Sequence, residues 1–316
     1  MGEISSNFSP YLSVLICTHN RADILQRTLE SLADVRWDGV AAEVVVVANT
    51  CSDDTVARVA SLAEHIPVPV RCVEEPEPGL NAARNRCLAE ARGEILAFLD
   101  DDVRLDPSWA TAFVDIYQQQ PCDLVAGRVT LWWEAVERPE WLSSRFDRML
   151  SAADHGLNRR ELTDPSAAIG ANMSFRRAVY EAIGQFRAGL DRKGHLLLGG
   201  GDEEYVRRAM QSGFRLFYEP AARVEHWVAP KRATEAYLKA IAFGNGYSGV
   251  MMKPLSRWGF VRSVFGHLYL LLKSIGWSAV ATFRDRSQRV AARTLRRTAI
   301  GGLTARCHQL TGRTLQ

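Results

Sequence analysis

The feature that most restricts the fold of this chain is a regular alternation of short apolar runs with helical patterns between residues 11 and 218. Four apolar runs have the composition of strands buried on both faces, at residues 12–17, 43–48, 68–73 and 95–99. Amphipathic helical spacing fills the stretches between them, at residues 24–32, 56–63 and 81–91. This order predicts an α/β fold with a mostly parallel, Rossmann-like sheet flanked by helices.

Composition and charge exclude several classes of protein. Hydrophobic residues make up 47% of the 316 residues, which is enough for a large core and excludes disorder over the whole chain. The 39 basic and 36 acidic residues give a formal net charge of +3, so we predict no nucleic-acid partner. Six cysteines occur without Cys-x-x-Cys pairs, and the first ten residues lack an apolar signal-peptide core. We therefore expect a chain that faces the cytosol.

The turn after the first strand is the first candidate for a binding site, because ligands of open parallel sheets lie beyond the carboxyl ends of the strands. This turn is not glycine-rich, which argues against a dinucleotide-binding dehydrogenase, a P-loop protein and a sugar nucleotidyltransferase. Thr18, Asn20 and Arg21 offer polar groups there that suit a base, a ribose or a phosphate.

Three consecutive aspartates, Asp100, Asp101 and Asp102, follow the fourth strand directly. Carboxylates this close together repel one another unless a cation neutralises them. Hard oxygen ligands suit Mg²⁺ or Mn²⁺, which commonly bridge to the phosphates of a substrate. An acidic turn that caps the next helix is the alternative, but capping does not need three carboxylates. The triplet therefore predicts a divalent-cation site.

A second acidic cluster follows a run of three glycines, of which Gly200 and Gly201 are the last two. Glycines allow the backbone to approach a ligand closely, and Asp202 and Glu203 are candidates for a general base. Acidic residues at a helix N-terminus also favour the helix dipole. That alternative explains the carboxylates but not the glycines.

These motifs together resemble glycosyltransferase family two, whose members have the GT-A fold. The resemblance rests on stretches in family order and with family-like spacing, namely residues 14–21, 78–85, 98–102, 170–177, 200–204 and 218–220, followed by His226. It covers residues 11–230, about two thirds of the chain. It implies a GT-A catalytic domain over residues 11–230, after an N-terminal tail at residues 1–10 and before a helical C-terminal region at residues 231–316.

The resemblance implies transfer of a sugar from a nucleotide-sugar donor to an acceptor hydroxyl, with inversion at the anomeric carbon. Asp102 would be the principal ligand of Mn²⁺ or Mg²⁺, with Asp100 and His226 as further ligands. Asp202 matches the catalytic base of the family, and Glu203 is a neighbouring candidate. The acidic motif often begins with Glu where this chain has Gly201.

The resemblance also implies a donor site and favours a UDP-sugar. Many members carry an aspartate, where this chain has Ala48, that hydrogen-bonds the donor base. Asn49 or Asp53 would take its place, or the donor would carry another base. Arg84 would contact the donor phosphates. The full set of predicted donor-binding residues is Thr18, Asn20, Arg21, Asn49, Asp53, Arg84, Asp100 and Asp101.

On the acceptor side, the resemblance implies a lining that includes Gly170, Ala171 and Asn172, together with Gly200 and Gly201. An insertion at residues 131–165 interrupts the strand-helix alternation and is expected to help shape the acceptor site. Its tryptophans Trp132 and Trp133 either stack on sugar rings or plug the core.

The C-terminal region has a different pattern. Residues 260–283 are rich in apolar and aromatic side chains but contain Arg262 and Lys273, and a dense basic cluster follows at residues 284–297. This pattern favours a helix in the plane of an anionic membrane surface; a buried core helix and a membrane span are the alternatives. We expect a peripheral enzyme at the inner face of the cell membrane that acts on a lipid-linked or glycan acceptor. The alternative function is a catalytically idle GT-A domain in a membrane-bound assembly.

Overall fold

The computed structural model describes residues 11–188, 197–252, 257–281 and 285–311. The predicted N-terminal tail at residues 1–10 and the start of the basic cluster at Arg284 lie outside the described residues. The strands are β1 (Leu12–Thr18), β2 (Ala42–Asn49), β3 (Val70–Glu75), β4 (Ile95–Asp100), β5 (Val103–Leu105), β6 (Leu124–Trp132), β7 (Arg160–Leu162), β8 (Asn172–Arg176) and β9 (Leu216–Trp227). The α-helices are α1 (Ala22–Ala33), α2 (Thr55–Ala63), α3 (Leu80–Glu90), α4 (Trp109–Gln119), α5 (Arg177–Ile183), α6 (Gly201–Gln211), α7 (Glu235–Met251), α8 (Arg257–Ala281) and α9 (Arg286–Thr311). Short 3₁₀ helices cover Ser144–Leu150, Pro165–Ala167 and Pro230–Ala233.

The chain divides into two compact units. The first comprises the described residues up to Thr130, then Ala153–Phe186 and Tyr205–His226. The second comprises Leu131–Ala152, the described residues of the range Arg187–Glu204, and the described residues from Trp227 onward. The predicted insertion at residues 131–165 is therefore divided, since its second half lies in the first unit.

The first unit is built on one mixed sheet with the strand order β3-β2-β1-β4-β8-β6-β9-β5, and β7 pairs with β9. β1, β2, β3 and β4 are parallel to their neighbours in this group. The pairings of β4 with β8, β6 with β8, and β9 with β5 and β7 are antiparallel. The structure confirms the predicted α/β sheet flanked by helices, with its parallel part in the N-terminal half.

The two faces of the parallel strands are both covered, which explains their continuous apolar sequences. Val14 and Val46 pack in one core cluster with Leu25 of α1. Leu15, the residue after Val14 in β1, packs in a second cluster with Leu88 of α3. Side chains of successive strand residues point to opposite faces, so each strand contributes to both clusters.

Apolar runs in the sequence indicate two short strands, at residues 216–218 and 223–226, but the structure has one long strand there, β9. It runs without a break through Pro220. Residues 216–218 pair with β7, and residues 224–226 pair with β5. Proline cannot donate a ladder hydrogen bond, and Pro220 lies between these two paired segments, so it interrupts neither of them.

The second unit is dominated by the C-terminal helices, and glycines allow α7 and α9 to pack with their backbones in contact. A Cβ atom on Gly246 would lie 2.0 Å from the carbonyl oxygen of Thr298, and one on Gly301 would lie 2.1 Å from that of Phe243. Helix α8 buries Ser274 on one side and exposes its opposite side. Within the described ranges, no helix is both long enough and apolar enough to cross a membrane.

Candidate active site

The sheet topology brings the ends of β1 and β4 together in the first unit. The two strands are parallel neighbours, with Cys17 opposite Asp100. Asp100 is the last residue of β4, and Asp101 and Asp102 form the turn into β5. The Thr18 hydroxyl, at the end of β1, donates a hydrogen bond of 2.7 Å to Oδ2 of Asp101. The residues predicted from the two strand ends therefore meet at one edge of the sheet.

A single guanidinium holds two of the three aspartates. Arg21 contacts Oδ1 of Asp101 at 2.5 Å through Nη1, and Oδ2 of Asp102 at 2.7 Å through Nη2. The carboxylates of Asp101 and Asp102 are only 5% and 7% exposed, whereas the Arg21 side chain is 39% exposed. Two neighbouring buried carboxylates are costly without a counter-charge, and the planar fork of Arg21 supplies it.

Burial and the opposite charge of the ion-pair partner act in opposite directions on the pKa values of Asp101 and Arg21. Burial raises the pKa of Asp101 to about 7, against the lowering effect of Arg21, and the neighbouring charge of Asp102 adds to the rise. Burial alone would lower the pKa of Arg21, but the attraction of Asp101 and Asp102 outweighs it, so that pKa lies above its ordinary value. The guanidinium is therefore always charged.

His226 completes a cluster of possible metal ligands. It lies on β9 opposite Val103 of β5, directly after the aspartate triplet, and is 1% exposed. Its Nε2 atom lies 3.2 Å from Oδ1 of Asp102 and 3.4 Å from Oδ2 of Asp100. These three ligand atoms all lie within 4.8 Å of one another.

The geometry and chemistry of this cluster fit a hard divalent cation. Adjacent ligands of an octahedral Mg²⁺ ion, each about 2.1 Å from the metal, lie about 3 Å apart. The separations of His226 from Asp100 and Asp102 are close to that value. Two carboxylate oxygens and one imidazole nitrogen also form a donor set that suits Mg²⁺ or Mn²⁺.

Two predicted donor-binding residues, Asn20 and Asp53, form hydrogen bonds that organise the loops after β1 and β2. Asn20, with a φ of 50°, accepts a hydrogen bond of 2.7 Å from the Ser52 backbone N–H. Asp53 accepts one of 3.1 Å from the N–H of Ala22, at the start of α1, and its hydrogen bond with the Thr55 hydroxyl lowers its pKa. These contacts fix the loop that carries Arg21.

The amide of Asn49 is fully used within the fold. Its Nδ2 atom donates to the carbonyl oxygens of Glu75 at 3.1 Å and Glu77 at 2.6 Å. Its Oδ1 atom accepts from the N–H of Gly79 at 2.9 Å. Asn49 therefore fixes the turn after β3 and has no amide hydrogen left for a donor base.

Arg84 on α3 is a buried cation. It is 6% exposed, its Nη1 atom donates to Oδ1 of Asn81 at 3.3 Å, and its guanidinium lies 5.2 Å from the ring centre of Phe186. In the described part of the chain, no carboxylate lies within ion-pair distance of it. A buried cation without a counter-ion is unfavourable, so this environment suits an anionic ligand.

The residues predicted for the acceptor side in the first unit are buried. Gly170, Ala171 and Asn172 lie at the start of β8, and Asn172 is 0% exposed. The Asn172 amide accepts from Trp109 at 2.9 Å and donates to the carbonyl oxygens of Arg128 and Ala222. The structure therefore puts Asn172 in the core, where it links neighbouring strands, and not on an acceptor surface.

The predicted catalytic base lies in the second unit, in the first turn of α6. Gly200 has a φ of 101°, which favours glycine, and Gly201 begins the helix. Oδ1 of Asp202 accepts a hydrogen bond of 3.1 Å from the N–H of Glu203. Acidic residues favour the positive end of a helix dipole, and the structure confirms that this acidic run begins a helix.

The predicted aromatic residues also lie in the second unit. Trp133 is half-buried against a cluster that contains Phe146 and Leu238, and the Arg138 guanidinium lies 5.4 Å from its ring centre. Trp132 is half-buried, and its carbonyl oxygen accepts a hydrogen bond of 3.0 Å from the N–H of Val228. The packing of Trp133 favours the core alternative for that residue.

Two features of the site were not predicted. The sequence suggested Arg21 as a donor ligand and gave no sign of its pairing with the aspartates. Glu204, beside the predicted base, is 4% exposed and lies 3.0 Å from Arg187 in an ion pair. The acidic run made Glu204 visible in the sequence, but no pattern links it to Arg187.

Comparison with known proteins gives a family for these motifs. The protein-family model described as "Glycosyl transferase family 2" matches residues 13–184 of this chain. The glucosyl-dolichyl phosphate glucuronosyltransferase of Haloferax volcanii is 27% identical over 249 residues, which cover 77% of this chain and 78% of that protein. The succinoglycan biosynthesis protein ExoM of Rhizobium meliloti is 26% identical over 243 residues, which cover 76% of this chain and 74% of that protein.

Solved structures show a related fold. The mannosyltransferase PcManGT from Pyrobaculum calidifontis, in complex with GDP-Man and Mn²⁺, matches with a TM-score of 0.60 and 18% identity. The match covers 94% of this chain and 88% of that chain. S. aureus TarS 1-349 matches with a TM-score of 0.51 and 14% identity, over 97% of this chain and 93% of that chain. At these identities the likeness shows the fold alone.

Proposed function

Because this chain belongs to glycosyl transferase family 2, and is thus a glycosyltransferase of the predicted GT-A fold, we propose that it is metal-dependent and inverting. It transfers a sugar from a nucleotide-sugar, with a UDP-sugar favoured, to a hydroxyl group of a glycolipid or polysaccharide acceptor. The observation that carries this proposal is the cluster of Asp100, Asp102 and His226. The glucuronosyltransferase relative named for a dolichyl phosphate substrate and the relative named for succinoglycan biosynthesis support the acceptor class.

Asp100, Asp102 and His226 would hold Mn²⁺ or Mg²⁺, as the Mn²⁺ and GDP-Man of the solved mannosyltransferase structure suggest. When bound, the ion neutralises charge on the departing diphosphate as a Lewis acid. Arg21 holds Oδ2 of Asp102 and leaves Oδ1 directed toward His226. Arg21 is therefore a positioning residue for a metal ligand.

Arg84 binds the donor diphosphate in this proposal. Its guanidinium is buried, stacks near Phe186 and has a neutral amide as its polar partner. A phosphate oxygen would supply the missing negative charge, and guanidinium groups pair well with phosphates. Thr18 and Asp101, hydrogen-bonded to each other, support the same edge of the sheet.

Asp202 is the proposed catalytic base, with Glu203 as the neighbouring candidate. It accepts the proton of the acceptor hydroxyl as that oxygen bonds to the anomeric carbon and the bond from that carbon to the diphosphate oxygen breaks. The support for Asp202 is the acidic motif after the glycines and its position in the first turn of α6.

The proposed membrane partner meets the exposed side of α8. The apolar and aromatic residues of this membrane face are 39–68% exposed, and they are Val261 (41%), Phe265 (68%), Leu268 (39%), Tyr269 (63%), Leu272 (68%) and Ile275 (51%). Arg262 and Lys273 are exposed beside them, and the α8 sequence contains no acidic residue. Apolar and cationic side chains together suit the surface of an anionic membrane.

The test of the proposed function is nucleotide release from a panel of UDP- and GDP-sugars, in the presence of Mn²⁺, Mg²⁺ or EDTA. We expect metal-dependent release from one donor by the wild-type chain and none by Asp102→Ala. Asp202→Asn should keep metal-dependent donor binding, measured by calorimetry, but lose transfer. Normal turnover by Asp202→Asn would refute its assignment as the base, and metal-independent release would refute the metal centre.

A further inference from the structure

A cavity of about 190 Å³ in the second unit is lined by three arginines, Arg289, Arg293 and Arg296, and by Ser278. The arginines lie four and three residues apart on α9 and so share one face of that helix, while Ser278 comes from α8. We propose that this cavity binds the phosphate group of an anionic membrane lipid. The proposal rests on the membrane association proposed above and adds a specific site to it.

Positive charge is concentrated in this part of the chain. Thirteen of the 39 basic residues but only one of the 36 acidic residues, Asp285, lie in residues 236–316. This segment therefore carries twelve net positive charges, although the net charge of the whole chain is +3. A polybasic segment of this kind is attracted to anionic lipid surfaces.

The side chains around the cavity are arranged to receive an anion. Glu235 lies 3.0 Å from Arg293 and 3.1 Å from Arg286, and so offsets part of the positive charge. Arg296 instead donates a hydrogen bond of 3.0 Å to the neutral hydroxyl of Ser278. Its Nε atom is buried and has no hydrogen-bond acceptor among the described residues.

A buried N–H group without an acceptor costs about 1–3 kcal/mol in general, so a ligand that supplies one is favoured. Phosphate oxygens accept charge-assisted hydrogen bonds from the planar fork of arginine. A phosphate group in the cavity supplies such an acceptor to the Arg296 guanidinium.

The size and position of the cavity favour a lipid phosphate. Pockets for complete small-molecule ligands measure roughly 300–1,000 Å³, so a cavity of about 190 Å³ suits a phosphate group and not a nucleotide-sugar. Ser278 lies three residues after Ile275, the last residue of the membrane face on α8. One helix therefore contributes to both the apolar surface and the phosphate site, as the two parts of a lipid require.

The test is cosedimentation of the full chain with phosphatidylcholine vesicles that contain phosphatidic acid as the minor component. Vesicles made equally anionic with cholesteryl hemisuccinate, a carboxylate lipid, are the comparison. Arg296→Gln is matched by Arg297→Gln, which removes the same charge from the next residue, an exposed arginine outside the cavity lining. Ser278→Ala keeps every charge and serves as a second probe, and circular dichroism checks that each variant is folded.

We expect Arg296→Gln to weaken binding to the phosphatidic acid vesicles about thirtyfold. Arg297→Gln should weaken it about fivefold or less, the effect of about 1 kcal/mol that one basic residue has near an anionic surface. Ser278→Ala should lower the affinity for these vesicles about fivefold, which corresponds to the loss of one hydrogen bond of about 1 kcal/mol. On the carboxylate vesicles, Arg296→Gln and Arg297→Gln should behave alike.

If Arg296→Gln and Arg297→Gln lowered the affinity for phosphatidic acid vesicles equally, the proposed phosphate site would be refuted. Binding would then depend only on general attraction between the basic segment and the anionic surface. Binding of inorganic phosphate that depends on Arg296, without binding to either vesicle, would also overturn the lipid assignment and indicate a soluble phosphate ligand. Measurement of nucleotide release in the same variants distinguishes a failure of this lipid site from a failure of the proposed glycosyltransferase function. Arg296→Gln should release nucleotide like wild type, whereas Asp102→Ala should bind vesicles like wild type but release none.

Discussion

Replacement of Arg21 by glutamine tests whether Arg21 and the metal ion balance the same negative charge in the candidate metal centre. Arg21 pairs with Asp101 and Asp102, whose carboxylates are 5% and 7% exposed. Removing one partner of a buried ion pair costs about 3–5 kcal/mol. Because the Arg21 side chain is 39% exposed, water replaces part of the lost interaction. We therefore expect Arg21→Gln to destabilise the metal-free protein by about 2–3 kcal/mol.

Mn²⁺ should reverse much of this loss, since the ion supplies the positive charge that glutamine lacks. A ligand at a hundred times its Kd stabilises the folded state by about 2.7 kcal/mol. The ion should stabilise Arg21→Gln more than wild type, in which Arg21 already neutralises Asp102. The difference in unfolding free energy between the two proteins should fall to about 1 kcal/mol at saturating Mn²⁺.

The assay is scanning calorimetry of both proteins in EDTA and in Mn²⁺. Arg58→Gln is the control, because the Arg58 partners Asp54 and Asp23 are 56% and 98% exposed. It should change stability little, and equally in both buffers. A stability difference for Arg21→Gln that is the same in EDTA and in Mn²⁺ would refute our account, since Arg21 and the ion would then not share Asp102.

Further predictions concern the second unit. Gly301→Ala should destabilise the packing of α7 on α9 by about 1–3 kcal/mol, since its Cβ would lie 2.1 Å from the Phe243 carbonyl oxygen. Gly249→Ala on α7 should be neutral or stabilising, because the added Cβ has no described atom within 4 Å apart from its own helix's backbone and adjacent residues. A similar loss of stability in both variants would contradict the packing argument. Phe265→Glu, which puts a charge on the membrane face, should abolish sedimentation with anionic vesicles. Unchanged vesicle binding together with a loss of oligomer mass in light scattering would indicate a second copy of the chain on that face instead.

The sequence predicts best the strands that are buried on both faces along their whole length. β2 contains four consecutive valines buried on both faces, so apolar composition alone locates it. β5 and β7 contain three residues each, too few to show a period, and β6 ends in half-buried residues of mixed polarity. Two short strands were predicted in place of β9, because the strand pairings of its two halves are not visible in the sequence.

The candidate site was predictable where residues of matching chemistry are adjacent in the sequence. Three aspartates after a buried strand predict a cation site by themselves, and the structure brings His226 to them through the pairing of β5 with β9. The contacts of Arg21, Asn49 and Asn172 were not predictable. Each depends on which atoms lie nearby in space, and a polar residue near a strand end can serve the fold or a ligand equally well.

The central claim is that Asp100, Asp102 and His226 hold the divalent ion that sugar transfer requires. The most direct test is a Mn²⁺ titration followed by electron paramagnetic resonance, with a nucleoside diphosphate present, for wild type, Asp102→Ala and His226→Gln. We predict one ion for each wild-type chain, no binding by Asp102→Ala and weaker binding by His226→Gln. Equally tight Mn²⁺ binding by wild type and Asp102→Ala would contradict this account.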